Sequence, residues 1–308
     1  MGRYVLRRLL QMIPVVIGTT LLIFLVVYAL PGDPFAGKCG DRPCPEAYVQ
    51  AERARLNLDD PVFVQYGKYM LNLLQGDFGT TSAQRPVLEL VTSAYQVTLK
   101  LAFVAIVFEL VIGILAGVLA GLRRGSFLDN LVLVSTLFVV SIPVFVIGFV
   151  LQLVLGVQLG WFPATVGAGA PWGDLLMPGF VLGSLSLAYV ARLTRGSIAE
   201  NLRSDYVRTA VAKGLPRSRV VGVHTLRNSL IPVITFIGAD FGTLLGGAII
   251  TEGIFNINGV GGLTFRAITT RENATVVAVV TLLVLVFLLV NLLVDLLYGV
   301  LDPRIRHE

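Results

Sequence analysis

The chain is short of charge, histidine and cysteine, and each shortage excludes something. Asp, Glu, Lys and Arg make up 14% of its 308 residues while hydrophobic residues make up 55%, whereas soluble globular proteins carry about 25% charge. An ordinary water-solvated globule is therefore excluded, and the chain reads as solvated by lipid. Two histidines, His224 and His307, leave few imidazole bases. No Gly-x-Ser-x-Gly turn or His-Glu-x-x-His zinc motif occurs, which disfavours an intramembrane hydrolase. No Gly-x4-Gly-Lys-Ser/Thr phosphate loop is present either, so the chain has no nucleotide site of its own. Ligands for a metal are not found near its two cysteines.

Long apolar runs are abundant. A membrane-spanning helix needs about 20 predominantly apolar residues. Runs near 9–30, 98–122, 131–157, 175–194, 230–251 and 275–300 meet that need, the fourth only just. They predict an all-α polytopic membrane protein with six transmembrane helices. The net charge of +5 lies mostly in short segments beside these runs, which argues for membrane topology and against nucleic acid. Arg3, Arg7 and Arg8 precede the first run, Arg123 and Arg124 follow the second, and 195–229 is rich in Lys and Arg. Such short basic segments stay cytoplasmic. Gln158 to Asp174 has no Lys or Arg and falls on the other side. Both termini are then cytoplasmic, in a multi-pass protein of the cell (inner) membrane. Leu9 to Leu30 is too long for a cleaved signal segment, whose apolar part runs about 7–15 residues, and is read as an uncleaved span.

The expected organisation is a first span within 1–30, an extracytoplasmic loop domain over 31–97, a helical core over 98–300 and a cytoplasmic tail over 301–308. The loop domain is the substantial water-facing part. Apolar residues in Val49–Leu56 and Val62–Leu74 recur at helical spacing, and Asp59-Asp60-Pro61 supplies a helix start with Pro in the first turn. Cys39 and Cys44 both fall in this loop, on the side where disulfides persist, and a small local bridge is expected, with two free thiols as the alternative. So short a closure contributes about 2 kcal/mol.

Four features within the core carry candidate chemistry. In 195–229, Ser204 or Asp205 can cap a short helix, Gly214 fits the left-handed position that ends it, and Pro216 suits the first turn of a second. Lys213, Arg217 and Arg219 surround that turn, although the positive-inside bias alone also accounts for them. Gly238, Gly242 and Gly246 recur every four residues, which lets helices approach closely, or else they line a pathway with Asp240. Glu109, Asp240 and Asp295 lie in or near apolar runs, where charge is costly. Asp240 is the leading pathway candidate, and the other two read as structural. Glu252 to Leu263 reads as a Gly-rich extracytoplasmic loop without the setting of a phosphate cradle, and glycine dihedrals alone could explain it.

Ala210-x-x-x-Gly214 followed by Leu226 resembles the EAA loop through which binding-protein-dependent ABC permeases engage their ATPases. Arg208, Thr209, His224 and Arg227 depart from the general pattern, but His224-Thr-Leu-Arg-Asn-Ser-Leu-Ile-Pro232 is similar to the peptide-permease version. Arg7-Arg8, Leu30-Pro-Gly-Asp-Pro34, Leu58-Asp-Asp-Pro61, Gly76-Asp-Phe-Gly79, Arg85-Pro-Val-Leu-Glu89, Leu122-Arg-Arg-Gly-Ser126, Ser141-Ile-Pro143 and Gly160-Trp-Phe-Pro163 resemble the same branch in matching order. The match covers essentially the whole chain and is nearest to the dipeptide permease B type.

The resemblance implies a type I ABC importer permease fold and a heterodimer with a homologous second permease. It also implies two ABC ATPase subunits or a fused pair, which bind ATP and Mg, and an extracytoplasmic substrate-binding protein. ATPase coupling would fall to Asp205, Ala210, Lys213, Gly214, Leu215, Pro216, Arg217, Leu226 and Arg227. Glu252 and Phe255 would lie where the binding protein docks and the outer gate closes. The implied cargo is short peptides, with haem, nickel chelates or glutathione as alternatives, and the coupling loop disfavours a passive channel.

Overall fold

A computed structural model describes residues 2–28, 44–55, 57–81, 83–167 and 169–301. In chain order the helices are α1 (Gly2–Tyr28), α2 (Glu46–Arg55), α3 (Val62–Leu74), α4 (Val87–Phe108), α5 (Ile114–Leu122), α6 (Phe127–Ser141), α7 (Val144–Leu151), α8 (Leu176–Asn201), α9 (Asp205–Ala212), α10 (Arg217–Arg219), α11 (Leu226–Ser229), α12 (Ile231–Gly247), α13 (Ile249–Ile254), α14 (Val260–Thr269) and α15 (Asn273–Leu301). Wider π turns join α4 to α5 (Glu109–Gly113), extend α7 (Gln152–Gln158) and join α10 to α11 (Val220–Thr225). Among the described residues the only β contact is an isolated bridge between Thr80 and Pro86. The chain forms an all-α polytopic protein. Among the described residues, four helices are long and apolar enough to cross a membrane, or six if each of two bent pairs counts as one span.

Two compact units form, residues 1–97 with 258–308, and residues 98–257. In the first, α15 packs against both α1 and α14. Val87, Val91 and Ala94 bury themselves with Val260, Ala278, Val279, Leu282 and Leu283. Helix α3 leans on α1 through its tyrosines. Tyr66 Oη donates to the Ile17 carbonyl at 3.1 Å and lies 2.9 Å from Thr20 Oγ1, while Tyr69 Oη donates to Thr281 Oγ1 of α15 at 2.8 Å. The Phe24 ring stacks edge-on to Tyr66 with centroids 5.6 Å apart.

In the second unit α8 is the centre, and glycine sets the spacing. A Cβ added at Gly117 would lie 2.5 Å from both the Ala191 carbonyl and Thr194 Cβ; at Gly113, 2.9 Å from Val190 Cγ1; and at Gly121, 2.8 Å from Ile198 Cβ. On the other side of the seam, a Cβ at Gly179 would meet Val104 Cγ1 at 2.5 Å. Contacts advance together along both partners, so α4–α5 and α8 run in the same direction with almost touching backbones. Dispersion between closely packed backbones substitutes for the hydrophobic drive that lipid does not provide.

Several expected boundaries need correction. The third run, expected as one span over 131–157, is broken between α6 and α7, and the two arms are bent by 100°. Pro143 cannot donate to the ladder and forces Ile142 into an extended conformation at ψ 129°. Helix α4 begins at Val87, within the expected loop domain, and α8 continues to Asn201, into the expected cytoplasmic segment. The fifth run ends at Gly247, and α13 and α14 occupy most of what reads in the sequence as a Gly-rich loop. The short helices expected in the loop domain appear as α2 and α3, with Pro61 at the cap position of α3 and not in its first turn. Cys39, the 31–34 motif and the tail 302–308 lie outside the described residues, as does the side chain of Asp295. No free cysteine occurs among the described residues.

Candidate functional site

The segment after α8 is a helix, a turn and a second helix. Ser204 takes the extended cap conformation before α9, but its hydroxyl donates back to the Asn201 carbonyl at 2.6 Å and does not cap the helix. At the far end Gly214 has φ +75°. Its N–H reaches the Val211 carbonyl at 2.9 Å, and the Leu215 N–H reaches the Ala210 carbonyl at 3.3 Å. Those two bonds make a Schellman turn, which satisfies carbonyls that the helix end leaves open. Nothing lies within 4 Å of a Cβ built at Gly214, so its backbone angle, not crowding, calls for glycine. Pro216 is the cap of α10, one residue before the expected first-turn place.

A small core holds the turn. Val207, Ala210 and Val220 are buried together with Leu215 packed against them, which places the C″ residue against the helix it ends. Leu226 is half-buried. The outer face carries Asp205, Arg208, Val211, Lys213, Pro216, Arg217 and Arg227, all exposed. The Arg208–Asp205 pair on that face, at 3.5 Å between exposed groups, contributes little stability. Of the nine residues expected to serve coupling, Ala210 and Leu215 thus shape the turn from inside, while Asp205, Lys213, Pro216, Arg217 and Arg227 are exposed.

One bond anchors this segment to α8, and an ion pair further back anchors α8 to α6. Ser229 Oγ donates to the Ser197 carbonyl at 3.2 Å. Further back, Arg195 donates through Nε and Nη2 to the two carboxylate oxygens of Asp129, the second at 2.9 Å. Asp129 is almost fully buried. It also accepts the Gly125 N–H at 2.8 Å, while its own N–H reaches Ser126 Oγ at 3.3 Å. Sequence reasoning passed over Asp129, although Ser126-x-x-Asp129 has the spacing of a capping box.

The pathway and gate candidates lie deeper. Glu252 is fully buried and accepts a 2.7 Å bond from Thr98 Oγ1. Phe255 is fully buried too. Its carbonyl accepts from Val166 N at 3.0 Å, beside Gln152 Nε2, which donates to the Ile254 carbonyl at 2.9 Å. In this chain both residues sit inside a packed turn. Asp240 is half-buried and bonded to Ser186, with Oδ2 unpartnered. Glu109 is fully buried, and neither of its carboxylate oxygens has a partner. Gly242 is buried and Gly238 half-buried on α12. Gly113, Gly117 and Gly121 form a close-packed glycine seam against α8, a run with the same four-residue spacing that sequence reasoning overlooked.

Comparison with known proteins bears on the whole chain. Residues 113–307 match the family described as binding-protein-dependent transport system inner membrane component. Residues 1–105 match the N-terminal family of such membrane components. The chain is 37% identical to a dipeptide transport system permease protein of Alkalihalophilus pseudofirmus over 99% of both chains. It is 40% identical to a glutathione transport system permease protein of Salmonella paratyphi A, and 39% identical to that of Escherichia coli K12, each over 100% of both chains. With its membrane-length helices and exposed helix–turn–helix, this chain belongs to the family of inner membrane components of binding-protein-dependent transport systems.

Proposed function

We propose that the chain is the permease subunit of an ATP-driven importer and that its cargo is short peptides. The observation that carries the reading is the Schellman turn at Gly214, which holds a cationic, exposed face clear of its own small core. A surface built that way suits docking in a cleft of a partner ATPase, and an energy-coupled permease needs such a surface where a passive channel does not. In this reading ATP and Mg belong to two ATPase subunits or a fused pair. A homologous second permease completes the pathway, an extracytoplasmic binding protein delivers cargo, and both termini are cytoplasmic. ATP-driven closure of the ATPase pair would move α9 and shift the permease pair between two states, through stronger binding to one of them.

The named cargoes of the relatives support the substrate class, because dipeptides and glutathione are both short chains of amide-linked amino acids. Asp240 is the pathway acid in this reading, Glu252 and Phe255 belong to the gate region, and Cys39 bridges Cys44 in the outer loop. Uptake of labelled di-, tri- and tetrapeptides by the assembled transporter with its binding protein tests the cargo. Glutathione accumulating while all unmodified peptides are refused would move the assignment to the glutathione branch.

A further inference from the structure

Helix α3 belongs to the outer loop by sequence, yet its contacts lie deep. Thr281 sits eight residues beyond Asn273, the first residue of α15, which is roughly 12 Å at 1.5 Å per residue. Arg271 and Glu272, two charged residues, stand just before that helix, where a span meets the polar edge of a membrane. Thr20 sits eight residues before Tyr28, the last described residue of α1, so at least roughly 12 Å of helix follows it. Tyr69 bonds the first of these and Tyr66 the second. Two independent spans therefore place the tyrosine hydroxyls of α3 well inside a hydrocarbon core about 30 Å thick.

The face of α3 opposite the tyrosines is bare. Phe63, Leu71 and Leu74 are 74%, 60% and 80% exposed, and Val64 lies beside them. Residues 63, 67, 71 and 74 follow helical spacing, so these side chains form one stripe. The edge between the two faces is polar: Lys68 Nζ reaches Asp60 at 2.6 Å and Asn57 at 3.0 Å. Helix α2 has no such apolar face and buries nothing. On α1, the span that α3 packs against, Leu22 and Val26 are likewise exposed apolar residues.

We propose that α3 is embedded in the outer half of the bilayer, with Phe63, Val64, Leu71 and Leu74 seated among phospholipid acyl chains. The long stem of Lys68 carries its ammonium toward the headgroups. Water would not favour so contiguous an apolar stripe, and the depth of Thr20 and Thr281 places the helix where lipid is. The outer segment is thereby held to α1 and α15 from within the membrane, and not only from above it.

The test places a nitroxide on single added cysteines, Phe63→Cys, Leu71→Cys and Asn72→Cys, with the parent chain as labelling control. It uses the assembled transporter in phospholipid vesicles. Collision with oxygen is compared with collision with a water-soluble nickel chelate. The proposal requires Phe63 and Leu71 to be reached by oxygen and shielded from nickel, with a higher oxygen-to-nickel ratio than Asn72. Nickel access at Phe63 and Leu71 would place the stripe in water, and exclusion of both reagents would place it against a partner subunit. Either result overturns the proposal.

Discussion

Asp129 and Arg195 are joined side by side, carboxylate to guanidinium, linking the first turn of α6 to α8 ahead of the turn at Gly214. The carboxylate is buried while the guanidinium is partly open, so removing either partner has unequal consequences. Asp129→Ala strips Arg195 of its counter-charge and leaves the Gly125 N–H without an acceptor. We expect it to lower stability by about 3 kcal/mol, read as a drop in the thermal inactivation midpoint in detergent. An apolar pair, Asp129→Leu with Arg195→Met, should recover much of that loss, since well-packed hydrophobic replacements of buried pairs are often neutral. No recovery would mean that the pair specifies the local fold beyond its charge balance.

Gly117 leaves no room for a side chain, because its Cβ would sit 2.5 Å from the Ala191 carbonyl. Gly117→Leu should push α5 off α8 and cost about 1–3 kcal/mol or more. Gly196→Ala is the control, since nothing lies within 4 Å of its Cβ. Equal stability of the two variants would show that the seam is looser than its geometry.

Ala210 is buried in the small core of the turn, so its effect on coupling runs through shape and not contact. Ala210→Leu should overpack Val207 and Val220, at about 1–3 kcal/mol, and reduce substrate-stimulated ATP hydrolysis while the subunit still reaches the membrane. Arg217→Ala, on the exposed face, should weaken ATPase binding without a change in thermal stability. A stability loss in Arg217→Ala with ATPase binding intact would reverse the two roles.

Glu109 and Asp240 separate by the same logic. Neither oxygen of Glu109 has a partner, and Glu109→Gln is expected to assemble and transport as the parent does. Asp240→Asn should assemble normally and slow uptake. Unchanged uptake in Asp240→Asn removes it from the pathway.

Local chemistry made the turn at Gly214 legible. Gly214 and Pro216 act within a few residues of themselves, and so do the apolar runs that set the spans. The 100° break at Pro143 had a readable sign in Ser141-Ile-Pro143, but hydropathy alone carried 131–157 through it, because Ile142 and Pro143 interrupt hydrogen bonding without interrupting apolarity. The seam of Gly113, Gly117 and Gly121 has the same period as Gly238, Gly242 and Gly246. What each run meets depends on the facing helix, which no single segment contains. The burial of Glu252 against Thr98 and the anchoring of α3 by Tyr66 and Tyr69 join residues far apart in the chain, and their polar atoms look alike in sequence whether they face water or one another.

The central claim is that ATP drives peptide uptake through the turn at Gly214. Uptake of labelled peptides by the reconstituted transporter with its binding protein, with and without ATP, tests it in the parent, Gly214→Asn and Gly214→Val. The left-handed angle tolerates Asn but costs a β-branched residue about 1–2 kcal/mol or more, so uptake should require ATP, persist in Gly214→Asn and fail in Gly214→Val with the subunit still in the membrane. ATP-independent uptake, or full uptake in Gly214→Val, would contradict the account.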